Sequence, residues 1–335
     1  MLDLLIPDLL APPDAPAAMR EVRLPHLERW LVRAERERGS ARSALESLAS
    51  AYALQAPVPV AAVSLAGEAQ APASAEGAWL RADPVHLRVD RDNVTLHDAS
   101  VLAVEPAEAR EIVASLAALF APDLEFHVAA PDRWYVRVAK EELPHTTPLD
   151  ELIGRNVFGL LPRSDGRMRW ANALTEAQML LSTHEVNRAR EATGRPPINS
   201  VWFWGEGTTP HDVTRPYAEV HAEHVFARGL GRLSGAKLHG LPAKLASLDV
   251  PATGASTLVV LPQLEQPLRR NDPEAWLAAA RRLDDEWFSH LAQAIERFDR
   301  VRLVLPAANG SRIATLTPRS KLRWYRRAKP LAHHA

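Results

Sequence analysis

With 335 residues, 47% of them apolar and 24% charged, the chain has the make-up of a globular protein with one large domain or two ordinary ones. Its 40 lysines and arginines balance 41 aspartates and glutamates, so charge gives no ground for nucleic acid or an anionic membrane as a principal partner. It has no cysteine, which excludes disulfides, zinc–thiolate centres and cysteine nucleophiles but leaves metal on histidine and carboxylate open.

The opening MLDLLIPDLLAPP is apolar, too short to span a bilayer, and carries Asp3 where a signal peptide would be basic. It reads as a buried strand over Leu2 to Ile6 stopped by Pro7, and a cytoplasmic location is expected. A helix is predicted from about Leu24 to Arg38, ended by Gly39. From Gln55 to Gly77 the chain is rich in Ala, Pro, Ser and Gly, with one strand expected at Val58 to Leu65.

Trp79 to Val138 reads as a small α+β unit. Leu87, Val89, Val94 and Leu96 alternate as two strands about an Asp92-Asn93 turn. Pro106 suits a helix's first turn, with Ile112, Val113, Leu116 and Phe120 as its apolar stripe, and a strand follows at Trp134 to Val138. After Asp150 strands and helices alternate. A helix is expected from Asn172 to Ala192, a strand from Ser200 to Trp204 ending in Gly205-Glu206-Gly207, and a helix near Tyr217 to Phe226. A strand at Thr257 to Leu261, a long helix from Asp272 to Phe298 and a strand at Val301 to Leu305 complete the series. Alternation of this kind implies a mostly parallel sheet with helices on both faces.

His184, Asn187 and Glu191 share a helical stripe by spacing, and Gly205 and Gly207 are expected at the carboxyl end of the sheet, where open α/β sheets bind ligands. The ordinary reading of this run is a helix end beside a buried aromatic strand. His221 and His224, three apart beside Glu219 and Glu223, could hold a metal on one helix face; a solvated polar face is the plainer reading. Asp83, His86 and Arg88 could reach a ligand or simply form a strand's polar face. The basic tail RSKLRWYRRAKP reads as a solvated terminus.

The run HEVNRAREATGRPPINSVWFWGEG resembles a segment of the archaeal-type cofactor-independent phosphoglycerate mutases, and the likeness extends along most of the chain. LLIPDLL with LPHLERW, ADPVHLRVDRDNVTLHDA, EPAEAREIVASLAALF, ARGLGRLSG and RRLDDEWFSHLAQAI with VRLVLP each resemble a family segment, in the family's order. The series is also similar to a bacterial group that includes RpfE-type regulatory proteins. The resemblance implies the alkaline phosphatase superfamily: a three-layer α/β core with a mostly parallel sheet, in two parts (residues 1–75 and 152–330), and an inserted α+β lid domain (76–151).

Those enzymes transfer a phosphoryl group through a serine activated by two divalent metals. The resemblance places Asp8 at the first ligand position and Ser43 or Ser40 near the nucleophile's. The family's later ligand motifs are replaced by QLEQPLRRND, with Arg269 and Arg270 where cations should bind, by Ala307-Ala308-Asn309-Gly310, and by KLRWYRRAKPL. The expectation is therefore a non-catalytic, regulatory or metabolite-binding relative with no cofactor. Asp83, His86, Arg88, His184, Asn187, Arg190, Asn199, Gly205, Gly207 and Arg232 are its candidate binding residues for a small phosphorylated or carboxylated metabolite. Two alternatives stand beside it: an active phosphomutase holding manganese or zinc, and a scaffold that acts through a protein partner.

Overall fold

The computed structural model describes residues 1–10, 15–72, 76–91, 93–139, 143–157, 160, 170–249 and 254–334. These form two compact units, one made of Met1–Leu54 with Val213–Ala335 and the other of Gln55–Asp212.

The first segment contributes β1 (Leu2–Leu5), α1 (Ala17–Arg20), α2 (Pro25–Leu31), β2 (Glu35–Arg38) and α3 (Ala44–Ala51). The helix expected over Leu24 to Arg38 is thus a helix followed by a strand. Glu35-Arg36-Glu37-Arg38 has no apolar residue and lies fully exposed as the charged outer strand of a sheet, a composition that discourages further edge pairing.

The inserted unit holds α4 (Val60–Gly67), β3 (Ala78–Asp90), β4 (Asn93–His97), α5 (Ala99–Leu102), α6 (Pro106–Phe120), β5 (Leu124–Ala130), β6 (Arg133–Val138), α7 (Trp170–Ser182), α8 (Glu185–Ala192) and β7 (Ser200–Thr208). It spans Gln55–Asp212 against the expected 76–151: β7 pairs antiparallel along β3 from Ser200 to Thr208, and α4 packs against both strands. The strand expected at Val58 to Leu65 is the helix α4, buried at every position from Val60 to Leu65, so it shows no polar face from which a helical period could be read. Asp92 of the expected turn lies outside the described residues, while β3 and β4 pair as foreseen. Pro84 is tolerated inside β3 because β6 pairs with it only over Ala78–Arg81 and β4 only over His86–Asp90. Between them β7 alone is bonded, and the missing N–H is not needed. The helix expected over Asn172 to Ala192 breaks at Thr183, and α8 restarts under a cap from His184.

The last segment supplies β8 (Glu219–His221), α9 (Val225–Leu233), β9 (Lys237–His239), β10 (Thr257–Val260), α10 (Glu265–Arg269), α11 (Pro273–Glu286), α12 (Leu291–Phe298), β11 (Val301–Leu305) and β12 (Arg312–Leu316). The segment near Tyr217 to Phe226 is a strand and a helix start, so His221 and His224 do not share a helix. The long helix over Asp272 to Phe298 is interrupted at Trp287 by a turn through His290, yet Trp276, Leu283, Trp287, Leu291 and Ile295 are all buried in one core as the stripe required.

The larger sheet runs β2-β12-β11-β1-β10-β8-β9, parallel from β11 to β9, with β12 and β2 added antiparallel. Leu2, Leu4, Val259, Leu261, Val301, Leu303 and Leu305 face one core with α2, α11 and α12. The period-2 alternation turns Asp3 and Arg302 to the opposite face, where Asp3 accepts from Tyr217 Oη at 2.8 Å and from Arg302 at 3.1 Å. This α/β core with a largely parallel sheet is the fold class expected from the sequence.

Candidate functional site

In the first unit the chain leaves β1 through Ile6, Pro7 and Asp8. Asp8 is half-buried with a left-handed backbone (φ 58°), and its carbonyl accepts from Trp276 Nε1 at 3.0 Å. After β10 the chain passes Gln263 into α10, where Arg269 lies 3.7 Å from Glu265. After β11 it passes Asn309, whose Oδ1 accepts from Arg312 at 3.1 Å. Ser43 caps α3, its Oγ accepting from Glu46 N at 3.2 Å. Among the described residues, histidine and carboxylate donors gather in threes at His26–Asp284–Asp285 and Glu219–His221–His239, and Asp8 is in neither group. The donor set of a two-ion phosphoryl-transfer centre therefore does not assemble around Asp8 from the described side chains.

The two groups differ. Both oxygens of Asp284 are spent on the first turn of α2, accepting from His26 N at 3.0 Å and Leu27 N at 2.9 Å. That is a helix cap supplied from α11, and burial pushes the Asp284 carboxyl above its ordinary range. Glu219, His221 and His239 lie instead at the ends of the paired strands β8 and β9, where His221 stands opposite His239. Their rings stack at 4.5 Å, and Glu219 Oε2 is 3.9 Å from Nε2 of each. Burial, and the second ring beside it, hold His221 below the usual histidine range, so it is neutral at neutral pH. His224 stands at the residue before α9 and is not in this group. Sequence spacing flagged Glu219 and His221; His239 was missed because only strand pairing brings it across.

The candidates in the inserted unit prove to be mostly architecture. Asp83 is buried in an ion pair with Arg81 (2.7 Å) and accepts from Trp204 Nε1 at 2.8 Å; burial pushes its carboxyl up. His86 Nδ1 lies 2.9 Å from Pro197 O, and Arg88 is exposed at the end of β3. His184 accepts from Val186 N and reaches Ser115 Oγ at 3.0 Å. Asn187 is a buried clamp, donating to Leu181 O and Ile198 O and accepting from Ile198 N, each at 2.8 Å. Arg190 is fully buried and bonded to Pro196 O, Glu108 and Leu102 O. Asn199 exchanges two bonds with the backbone of Leu87. Gly205 and Gly207 are not at the end of the parallel sheet. They let β7 lie against α4 and the residue before it: a Cβ would meet Val60 Cβ at 3.0 Å and Pro59 Cβ at 2.5 Å. Arg232, in the first unit, is exposed in the last turn of α9. Asp83, Asn187 and Arg190 are therefore spent within their own unit and are not free to bind an anion.

Two clefts were not foreseen. One of about 400 Å³ in the inserted unit is lined by Pro57, Pro59, His145, Glu206, Gly207 and Thr208, and its Glu206 carboxylate accepts from the Thr146 hydroxyl. The other, about 280 Å³, lies where β2 meets β12 in the first unit and presents Arg36, Arg38, Arg312, His333 and His334 against Leu305 and Ala314. His334 is buried, with Nδ1 3.3 Å from an Arg36 nitrogen and Nε2 lacking a partner. Three guanidiniums in one small cleft form an anion-attracting surface, opposed among the lining side chains by the carboxylate of Glu37. Arg36 and Arg38 fall within the helix expected over Leu24 to Arg38, and the β2–β12 pairing that sets them beside Arg312 is not visible in the sequence.

No family model matches the chain. It is 26% identical over 169 residues to the 2,3-bisphosphoglycerate-independent phosphoglycerate mutase of Methanothrix thermoacetophila, covering 45% of this chain and 43% of that protein. The probable enzyme of the same name from Geobacter sulfurreducens is 27% identical over 184 residues, covering 53% and 46%. The chain thus spans about half the length of the curated relatives it matches. Among solved structures, the PH0037 protein of Pyrococcus horikoshii aligns with a TM-score of 0.57 over 94% of this chain and 87% of that one, at 11% identity, a likeness of fold. No helix among the described residues is long and apolar enough to cross a membrane.

Proposed function

We propose that this chain, a phosphoglycerate-mutase-like protein by its sequence similarity and α/β core, binds a small phosphorylated or carboxylated metabolite without performing phosphoryl transfer. The observation that carries this reading is that Asp8, at the family's first metal position, belongs to neither histidine–carboxylate group among the described residues. Two ions cannot be held by one carboxylate, and a serine such as Ser43 has nothing to lower its pKa without them. The cleft of Arg36, Arg38, Arg312 and His334 supplies guanidiniums suited to phosphate or carboxylate, which supports ligand binding without turnover. A regulatory role in the cytoplasm, through the bound metabolite or a protein partner, follows from this reading.

The test is a mutase assay with 3-phosphoglycerate and added manganese, cobalt or zinc, beside calorimetric binding of the same compound without metal. No turnover, with binding weakened at least about tenfold by Arg36→Ala with Arg38→Ala, is the expected result. Manganese-dependent turnover abolished by Asp8→Ala would restore the active phosphomutase and overturn the reading.

A further inference from the structure

The group Glu219–His221–His239 does nothing evident for the fold. His221 is buried, and neither of its ring nitrogens meets a hydrogen-bond partner of good geometry, although the Gly240 backbone lies close enough to favour a charged ring. A buried imidazole left this way is costly, and the fold could have placed an apolar residue at the end of β8 instead. Opposite it stands a second imidazole, stacked at 4.5 Å, which offers no hydrogen bond in that pose. The Glu219 carboxylate faces both at 3.9 Å, 16% exposed, beyond hydrogen-bonding range of either. Three side chains with metal-ligating atoms thus converge on one strand junction.

We infer that Glu219, His221 and His239 form a binding site for one divalent transition-metal ion of the zinc class. Their donor atoms all lie within 4.8 Å of one another. In a tetrahedral site with bonds of about 2.0–2.1 Å, donor atoms stand roughly 3.3 Å apart. The gap closes if the His239 ring, 42% exposed, turns out of the stack while the buried His221 stays in place. Two imidazoles and one carboxylate favour zinc, nickel or copper over magnesium or calcium, which take oxygen ligands. Three protein donors leave a fourth position for water or an anionic group. The site holds one ion, includes neither Asp8 nor Ser43, and does not depend on the proposed loss of mutase activity.

Strand pairing explains why these residues converge. Glu219 and His221, two apart on β8, point to the same face of the sheet, and His221 stands directly across from His239 on the outermost strand. An ion there would tie β9 to β8 at a sheet edge held by only three paired positions.

The experiment is equilibrium dialysis of the full chain against zinc, with metal analysis, on wild type and the variants His239→Gln, Glu219→Gln and His211→Ala. Cobalt substitution read by absorption serves as a second measurement. One zinc per chain is expected, with affinity lowered at least about tenfold by His239→Gln and by Glu219→Gln and unchanged by His211→Ala, an exposed histidine of the inserted unit. Cobalt should give the intense visible bands of a tetrahedral site in wild type and lose them in His239→Gln. Zinc bound equally well by wild type and both ligand variants, or binding lost with His211→Ala instead, would overturn the assignment.

Discussion

Replacing Arg190 with methionine separates its two readings, ligand-binding cation or internal strut. Methionine keeps the apolar stem and removes the guanidinium, whose Nε donates to Pro196 O at 2.8 Å, Nη1 to Glu108 at 2.6 Å and Nη2 to Leu102 O. The buried Leu102 carbonyl and the part-buried Pro196 carbonyl then lose their donor, at about 1–2 kcal/mol each. The Glu108 carboxylate, 11% exposed, keeps Arg195 but loses its better-buried partner. Breaking one side of a buried pair costs about 3–5 kcal/mol in all, and that is the loss expected in the inserted unit. The assay is native-state hydrogen exchange on α6 and α8, which reads local free energy without assuming that both units unfold together. Arg195→Met, at a residue 35% exposed, is the control and should cost less than about 1 kcal/mol. A loss below about 1 kcal/mol for Arg190→Met, accompanied by loss of metabolite binding, would refute the strut and return Arg190 to the binding site.

Gly207→Ala should destabilise the inserted unit by about 2–4 kcal/mol through overpacking and backbone strain, since the new methyl meets Pro59 and φ is +149°. Gly194→Ala, left-handed at φ +72° with open space around it, should cost only about 1 kcal/mol, and hydrogen exchange in the inserted unit reads both variants. Asn187→Leu removes three buried backbone hydrogen bonds and should cost about 3 kcal/mol, seen as faster exchange at the ends of α7 and α8. Burial raises the Asp3 carboxyl above its ordinary value of 3.8 against the pull of Arg302 and Tyr217. Its stabilising share is therefore full below that value and is lost as pH rises through the folded pKa. The stability of wild type relative to Asp3→Asn should fall as pH rises above about 4 when urea midpoints are compared. A flat difference would mean the carboxyl is not shifted.

The sequence disclosed the α/β core wherever a segment's period matched its burial. β1, β10 and β11 are apolar runs between helices, and the stripe from Trp276 to Ile295 survives the break at Trp287 because buried faces continue across it. It misled where burial or charge erased the period. α4 is buried all round and looks like a strand, and β2 is charged throughout and looks like helix surface. The candidate residues divide along the same line. Asn187, Arg190 and Asp83 stood out as polar groups in a patterned segment, yet polar side chains are needed equally to close helix ends and bridge elements, and their partners, Ile198, Glu108 and Trp204, come from other elements. What a single chain position cannot show is whether its hydrogen-bonding capacity is already used. His221 and His334 differ from those three in that respect: both are buried, and each has at least one ring nitrogen without a partner. Each lies at a strand pairing, His221 across from β9 and His334 beside the β2–β12 pair, so the groups that complete the site are assembled by sheet topology. Unspent polar capacity at a strand junction, rather than polarity along the chain, is the property that points to binding in this protein.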